Sequence, residues 1–442
     1  MRIQPQEKKT SILLFLAEIC FALTIITAPF RWRVNLWSRP IFPIYSDYTN
    51  YLLFASDIFM LSMLVLWAAS LILVPRKIKI GSPLIFWSLV GLTIAGFVSV
   101  LNGEDAVLSR YHAARLVPLL FFFLFIINEI KSAKWVLIPV ALQLLIQAIV
   151  IMIQVDQQNS LGWTSLGELS LDPNDSGVSV IFGDGFRFLR GYGLSDHPNI
   201  VGGCITFGLV LLLAVVLHGK RNQAIAASVV FLPSLLALVM TFSRAAWLSF
   251  VLVACFFLGT ESLSRRWEPV KRGILLGILS LLVIYPFVKE NGHLFKTRIN
   301  SGDVNSDSPM IERAFLLESG NTLFVEHPAI GVGIGAAPLA MKNRFENFPV
   351  NFQPPHYAIL TVALETGVPG GTFYLLLLSL PLISFLFRYE ALSQQPVVGV
   401  FGLLLAISII GLFDYYTWSY PYGRIWQWLG WGMWSVTLER SA

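Results

Sequence analysis

The chain has 442 residues, which would be enough for about three soluble domains. Its composition excludes that class of protein, because charged residues make up 13% of the chain where a soluble protein has about 25%, and hydrophobic residues make up 55%. The formal net charge of +5 accompanies no basic run interleaved with exposed aromatic residues. We therefore expect the excess charge to set membrane topology and attract anionic lipid, with no nucleic-acid partner.

Apolar windows predict an all-α membrane protein with about twelve transmembrane helices. The first window follows Lys8 and Lys9, as in a cleavable signal peptide, but Ile26 precedes Ala28 and no small-x-small cleavage site follows, so we interpret it as a helix. The predicted spans are 11–29, 51–74, 83–101, 111–128, 136–153, 200–217, 224–240, 245–258, 274–288, 357–387, 397–412 and 423–437.

Basic residues concentrate in every second connection, which is typical of cytoplasmic loops. With an even number of spans, this pattern places both termini of a multi-pass membrane protein in the cytoplasm. The residues that carry it are Arg2, Lys8, Lys9, Arg76, Lys77, Lys79, Lys131, Lys134, Lys220, Arg221, Arg265, Arg266, Lys271, Arg272, Arg388 and Arg440.

Two outward connections are too long to be simple turns, and long loops in compact folds are usually functional or disordered. They are 154–199 and 289–355, within what we interpret as a single integral membrane domain, 1–442. In the second loop, Asn300–Pro309 is rich in turn residues. The stretch Glu312–Glu326 has nearly helical apolar spacing, which predicts an amphipathic helix on the membrane surface.

Seven polar residues map to the outer face or its edge, where side chains could act together. They are Arg187, Arg190, His197, Asn199, Arg244, Arg313 and His356. His356 stands at the mouth of a span, and a neutral imidazole can accept a proton from a hydroxyl as a general base. The alternative is a histidine hydrogen-bonded to lipid headgroups or to a loop carbonyl.

Each arginine also has two interpretations, one as a ligand-binding residue and one as a structural residue. Arg244 lies at the junction of two spans, where its planar guanidinium could bind phosphate oxygens through two donors or could snorkel to the headgroups. Arg187 and Arg190, beside two glycines, could form a second basic patch for substrate or an exposed basic loop. Arg313 could act with them or pair locally with Glu312.

Other charged residues lie inside predicted spans. We expect His112, Arg115, Asp57 and Glu18 to satisfy one another within the bundle, although intramembrane charge always suggests function. The chain has no GxxxxGK[ST], HExxH, DxD or GxSxG motif. Its three cysteines fall inside apolar runs without a CxxC pair or nearby histidine. We therefore expect neither a metal site nor a cofactor.

Motifs in the second half of the chain resemble those of the bacterial O-antigen ligase and polymerase family of polytopic glycan transferases. Individually weak, they are fairly specific in combination, and they extend from about 190 to 371. They are Ser243–Trp247 (SRAAW), Glu326–Gly335 (EHPAIGVGIG), and His356 followed by Leu360, Glu365, Gly367 and Pro369–Gly371, with Arg190–Leu194 and His197–Asn199 in the first long loop.

The resemblance implies transfer of a glycan from a polyprenyl diphosphate carrier to an acceptor hydroxyl at the outer face of the inner membrane, as in lipopolysaccharide biosynthesis. Ligases of this family use a lipid acceptor that carries core sugars, whereas polymerases use another carrier-linked glycan. The functional histidine and arginines of the family correspond to His356, Arg244 and Arg313. Tyr357 stands where the family often has asparagine, which leaves the acceptor open.

An inverting, metal-independent mechanism fits these residues, because arginines can neutralise a leaving diphosphate while the histidine deprotonates the acceptor. A polymerase or a protein-glycosylating relative is the nearest alternative. A membrane transporter is the alternative from another class, since about twelve spans and intramembrane charges suit one. Transporters place polar sites near the midplane and often have two matching halves, whereas here the polar motifs gather in outer loops and no repeat is visible.

Overall fold

A computed structural model describes residues 5–183, 185–299, 308–387 and 396–440. Helices dominate it, and short loops connect most of them. In chain order they are α1 (Pro5–Thr27), α2 (Ala55–Leu73), α3 (Pro83–Val98), α4 (Ala106–Ala114), α5 (Leu116–Glu129), α6 (Lys134–Gln157), α7 (Pro198–His218), α8 (Arg221–Met240), α9 (Arg244–Leu263), α10 (Trp267–Glu290), α11 (Gly292–Ile299), α12 (Ser308–Glu326), α13 (Ala337–Arg344), α14 (Ala358–Phe387), α15 (Pro396–Gly411), α16 (Tyr416–Ser419) and α17 (Pro421–Arg440).

The predicted class, an all-α membrane protein, is confirmed. Within the described ranges, nine helical stretches are long and apolar enough to cross a bilayer, and Ile12–Thr27 and Val398–Gly411 are shorter apolar helices. The last predicted span coincides with α17, which contains four fully buried tryptophans. Each predicted span thus has a helical counterpart, and α4 and α5 together form the fourth.

Two short antiparallel hairpins interrupt the helical pattern. β1 (Arg33–Trp37) pairs with β2 (Tyr51–Phe54), and β3 (Val180–Gly183) pairs with β4 (Phe186–Leu189). The second predicted span was therefore wrong at its start, since 51–54 is a strand. Hydropathy cannot separate an apolar strand from the helix that follows it. The boundary is set by Asp57, whose carboxylate accepts a hydrogen bond of 3.0 Å from the Phe54 N–H.

Helix α7 is the centre of the bundle, with 94% of its apolar window buried. A helix that is apolar on every side is expected to be surrounded by other elements. Its glycines permit close approach, because a Cβ on Gly203 would collide with the Tyr416 hydroxyl and one on Gly208 would lie 3.0 Å from Leu144. Helices α6, α8, α9, α10, α15 and α17 pack around it.

The outer helices expose apolar side chains, as expected of a lipid-facing surface. On α10, Ile274, Leu281 and Leu282 are more than half exposed. In a water-soluble protein such a continuous apolar face would favour aggregation, but in a bilayer it contacts acyl chains.

The second long loop contains the helix predicted at Glu312–Glu326, which forms most of α12. Leu316 and Leu323 are buried in a small core with Val332 and Leu364. The position of α12 on the membrane surface stays a prediction. Of the predicted turn-rich stretch 300–309, residues 300–307 lie outside the described residues, as do Arg2 and Arg388 of the topology pattern.

The charges predicted inside the spans are only partly satisfied by one another. Arg115 forms an ion pair of 2.6 Å with Asp57, so that part of the prediction is confirmed. Glu18 forms no ion pair with Arg115 among the described residues, and Nε2 of buried His112 has no hydrogen-bond partner there.

Contacts between distant loops hold the starts of α2, α7, α9, α14 and α17 together at one end of the bundle, which we call the His356 end. The Arg33 guanidinium, for example, donates 2.7 Å to Asp196, and Tyr48 Oη lies 2.5 Å from Tyr415 Oη. The opposite end carries the Arg76–Glu129 ion pair of 2.7 Å and the exposed Lys131.

Cysteine labelling tests which end faces outward. In a variant without the three native cysteines, we expect a membrane-impermeant maleimide to label Asn174→Cys in spheroplasts, because Asn174 is exposed in the first long loop. Lys131→Cys should react only after the membrane is permeabilised, since positively charged connections remain inside. Labelling of position 131 in intact spheroplasts would reverse the orientation.

Candidate functional site

The predicted site residues are positioned by the starts of helices at the His356 end. His197 caps α7, Asn199 lies in its first turn, Arg244 is the first residue of α9, and His356 stands two residues before α14. Arg190 follows β4. Helix starts are suitable places for anion binding, because their first backbone N–H groups lack partners within the helix.

His356 is paired with an aspartate that the sequence analysis missed. Nδ1 of His356 lies 3.6 Å from Oδ1 of Asp414, which follows α15 and is 6% exposed. The imidazole also packs edge to face against Tyr415, with ring centroids 4.9 Å apart. A carboxylate beside Nδ1 favours the tautomer that leaves Nε2 free to accept a proton, and it stabilises the imidazolium that then forms.

Asp414 remains ionised at neutral pH. Burial alone would raise its pKa, but interaction with His356, followed by the charges of Arg313 and His197, keeps the pKa below the ordinary value for aspartate. Its Oδ1 also accepts a hydrogen bond of 2.9 Å from the Tyr415 N–H. Asp414 lies in the connection between the last two spans, which the sequence predicts to be on the same side as His356, so the signal that could have identified it was its position.

Arg190 is the most buried arginine of the predicted set, at 3% exposed. Its guanidinium donates to the Thr241 carbonyl at 2.8 Å, to Ser179 Oγ at 2.7 Å and to Asn199 Oδ1 at 2.8 Å. None of these acceptors is charged. Burial lowers the pKa of Arg190 well below its ordinary value, and Arg298, Arg244 and Arg313 lower it further by repulsion.

Arg298, in the last turn of α11, is a second residue missed by the sequence analysis. Its Nε donates 3.2 Å to the Phe242 carbonyl, beside the start of α9. Burial, followed by repulsion from Arg244 and Arg313, lowers its pKa to about 10, so it is still protonated at neutral pH. We call Arg190, Arg244, Arg298 and Arg313 the arginine cluster.

Arg244 and Arg313 are the members available to a ligand. Arg244 is exposed and Arg313 is half-buried, and among the described residues neither forms a hydrogen bond or an ion pair with the protein. Glu312, the neighbour considered as a local partner for Arg313, instead accepts 2.8 Å from Gln353. The structure therefore contradicts the alternative in which Arg313 pairs with Glu312.

His197 and Asn199 contact each other, and Asn199 contacts Arg190 of the arginine cluster. His197 Nδ1 accepts a hydrogen bond of 3.1 Å from the Asn199 N–H, so its ring is neutral with the proton on Nε2. Burial, and then repulsion from Arg190, lowers its pKa to about 3. Through the Arg190–Asn199 hydrogen bond, both residues help to fix the orientation of that guanidinium.

Arg187 is not brought into the cluster by any described contact. Its guanidinium donates 3.2 Å to the Asp175 carbonyl and lies 5.4 Å from the Phe182 ring, its neighbour across the β3–β4 hairpin. A role in substrate binding stays a prediction for this residue.

The glycine-rich motif forms the scaffold beneath the site. Gly331, Gly333 and Gly335 have positive φ angles, and the Val332 and Gly333 N–H groups donate to the carbonyls of Leu364 and Glu365 at 3.0 and 3.1 Å. Gly367, with φ of 71°, kinks α14, and a Cβ there would lie 2.5 Å from the Ala329 carbonyl oxygen. The second and third sequence motifs thus pack on each other and fix the helix that follows His356.

No group of His, Cys, Asp and Glu that could hold a metal ion occurs in the part of the chain that the structure describes. Metal independence stays a prediction.

Part of the chain matches a known protein family. Residues 229–375 match the family model described as O-Antigen ligase. The match contains Arg244, Arg298, Arg313 and His356, whereas Arg190 and Asp414 lie outside it. No curated protein matches the chain. The family predicted from the motifs is therefore confirmed over residues 229–375.

Proposed function

We propose that this protein transfers a glycan from a polyprenyl diphosphate carrier to an acceptor hydroxyl at the outer face of the bacterial inner membrane. Arg244, Arg298 and Arg313 neutralise the leaving diphosphate, and His356, oriented by Asp414, is the general base. The observation that carries the proposal is the juxtaposition of a His–Asp pair with a cluster of arginines whose members available to a ligand, Arg244 and Arg313, form no ion pair with any described carboxylate.

The arginine cluster suits a diphosphate. Four guanidiniums repel one another, and the pKa depression of Arg190 and Arg298 reflects that repulsion together with burial. An anion with several oxygens relieves it and accepts charge-assisted hydrogen bonds. Because negative charge on a diphosphate grows as the glycosidic bond breaks, the arginines would stabilise the transition state more than the bound donor.

The base has to act on the opposite side of the anomeric carbon. His356 Nε2 would remove the proton of the acceptor hydroxyl as that oxygen attacks, and Asp414 would stabilise the resulting imidazolium. A single displacement of this kind inverts the configuration at the anomeric carbon. The proton of the acceptor hydroxyl is transferred to His356 Nε2, and the electron pair of the broken glycosidic bond stays on the leaving diphosphate.

The position of the site at a bundle end suits a lipid-linked donor, whose carrier chain stays in the bilayer while its headgroup reaches the arginines. A ligase-type lipid acceptor and a polymerase-type carrier-linked glycan use the same chemistry, as would a protein-glycosylating relative. The clustering of polar residues at one end, away from the midplane, disfavours the transporter alternative.

Substitution of the free arginines tests the diphosphate contact. Arg244→Ala and Arg313→Ala should each reduce kcat by about 10²–10³-fold, the usual effect of removing one preorganised donor. Arg244→Lys should restore only part of the activity, since an ammonium lacks the planar pair of donors. The measurement is transfer in proteoliposomes with a carrier-linked glycan. Arg110→Ala, an exposed arginine at the same end, is the matched control. Wild-type rates in Arg244→Ala would remove that residue from the mechanism.

The pH dependence tests the base. The rate should fall on the acid side, because a protonated imidazole cannot accept the hydroxyl proton. His356→Ala should lose about 10²–10⁴-fold in rate, and with it the acid limb. Asp414→Asn should lower the maximal rate, because the imidazolium that forms in the reaction loses its carboxylate partner. His197 cannot supply the acid limb, since its pKa of about 3 keeps it neutral over the assay range. An active His356→Ala enzyme would demote His356 to a structural residue.

Chelation tests metal independence. We expect the rate to be unchanged in excess EDTA, because guanidiniums provide the charge that a divalent ion would otherwise provide. Loss of activity with EDTA and recovery with magnesium would contradict this part of the proposal.

A further inference from the structure

A second pocket lies at the His356 end, and none of the four residues of the arginine cluster lines it. It lies between the β1–β2 hairpin, α4, α14 and α17. We call it the Arg424 pocket. A neighbouring pocket shares Arg115 and Arg424 and continues between Leu53, Met60, Leu61, Leu119 and Ile425. We call this one the apolar pocket.

Three residues of the Arg424 pocket have side-chain nitrogen or oxygen atoms without a partner among the described residues. Arg424 is 3% exposed, its Nε donates to the Trp418 carbonyl, and no described hydrogen bond involves its two terminal nitrogens. Nε2 of His112 and Oγ of Ser419 are buried without a partner. Unpaired buried polar atoms are costly, and a ligand that forms hydrogen bonds with Nε2 and Oγ would remove that cost while it contacts the guanidinium.

The carboxylates near these atoms are already engaged. Asp57 accepts from Arg115 at 2.6 Å, Glu365 accepts from Trp418 Nε1 at 2.8 Å, and Asp47 is paired with Arg33. Arg424 itself has no ion pair in the described part of the chain. Its guanidinium lies over the Trp418 ring, 4.6 Å from the centroid, which fixes its plane but leaves its charge uncompensated at contact distance. The geometry favours a compact anion such as phosphate.

The lining of the apolar pocket suits a hydrocarbon chain. Its mouth is formed by Leu36 and Leu61, which are 59% and 42% exposed. Leu61 lies on α2, a membrane-spanning helix, so this mouth opens toward acyl chains. The guanidinium of Arg424 borders both pockets. An anionic head next to an apolar tail is the chemistry of a phosphate-bearing lipid.

Two tyrosines, Tyr48 and Tyr415, lie between the Arg424 pocket and His356, the proposed base. Tyr48 lines the pocket, its hydroxyl lies 2.5 Å from that of Tyr415, and Tyr415 packs on His356. Pro354, two residues before His356, also lines the pocket. A lipid held here would place its attached glycan on the side of His356 that Tyr415 borders, separate from the arginine cluster.

We propose that the Arg424 and apolar pockets together bind the lipid-linked acceptor, with its phosphate on Arg424, His112 and Ser419 and its hydrocarbon chain between α2, α5 and α17. The phosphate-lipid site rests on the geometry alone, whereas the identity of its occupant as the acceptor rests on the proposed function.

Lipid binding to the full-length protein tests the site. Native mass spectrometry would use phosphatidic acid and diacylglycerol with the same chains, which differ only in the phosphate. The background is Arg244→Gln with Arg313→Gln, which weakens binding at the arginine cluster. We expect phosphatidic acid to bind in preference to diacylglycerol, and Arg424→Gln to lower its affinity about tenfold or more, as loss of a charge-assisted hydrogen bond predicts. Equal binding of the two lipids, or unchanged affinity in Arg424→Gln, would overturn the site.

Arg424 Nε also donates to the Trp418 carbonyl, so a loss of binding in Arg424→Gln would have misfolding as a second explanation. A second variant removes this ambiguity. Leu61→Trp narrows the mouth of the apolar pocket and leaves every hydrogen bond of the Arg424 pocket in place. It should lower the affinity for phosphatidic acid to a similar extent, and unchanged affinity would contradict the proposed path of the hydrocarbon chain.

Kinetics distinguish the acceptor from a bulk phospholipid. With the arginine cluster intact, Arg424→Gln or Leu61→Trp should raise the KM for the acceptor about tenfold and leave the KM for the donor unchanged. A loss of phosphatidic acid binding without a change in acceptor KM would show that the occupant is a membrane phospholipid and overturn the acceptor assignment. If the wild-type protein transfers no glycan, the proposed function fails, while the binding experiment still decides whether the phosphate site exists.

Discussion

A bilayer offers no water to unpaired polar groups, and this constraint determines where the protein can do chemistry. The spans satisfy their own backbone hydrogen bonds and expose apolar side chains, so reactive groups are confined to helix ends and loops. The His–Asp pair, the arginine cluster and the Arg424 pocket all lie at helix ends or in the loops between them. The interior of the bundle only fixes their positions, through α7 and the tryptophans of α17.

The arginine cluster is unfavourable by itself. Arg190 satisfies its donors with a carbonyl, a hydroxyl and an amide, all neutral, so none of its described hydrogen-bond partners offsets its charge. The rest of the fold has to stabilise the guanidiniums in these positions. This is usual for a preorganised site, whose side chains are held in place before the ligand binds. The Gly331–Gly335 loop and the kink at Gly367 contribute by fixing the start of α14 beneath His356.

Much of this architecture could be predicted from the sequence, because a span is recorded in a local stretch of about 20 apolar residues. The position of His356 and Arg244 at one end of the bundle followed from the same local signal. Asp414 and Arg298 were missed, since their importance depends on which helix ends meet, and that is decided by packing around α7. The strand at 51–54 was missed because its pairing partner, 33–37, contains polar residues and lies across a long connection. Arg187 lies close to Arg190 in sequence, which suggested one shared basic patch. In the structure, Arg187 makes different contacts from Arg190.

The burial of α7 also bears on how the protein is assembled. This helix is made before two of the elements that enclose it, α15 and α17. Until those are made, Gly203 has no Tyr416 against it, and that face of α7 is open to lipid or to the insertion machinery. Asp414 comes into contact with His356 only with the same later segment. The His356–Asp414 pair is therefore completed only when α15 and α17 have packed against the rest of the bundle.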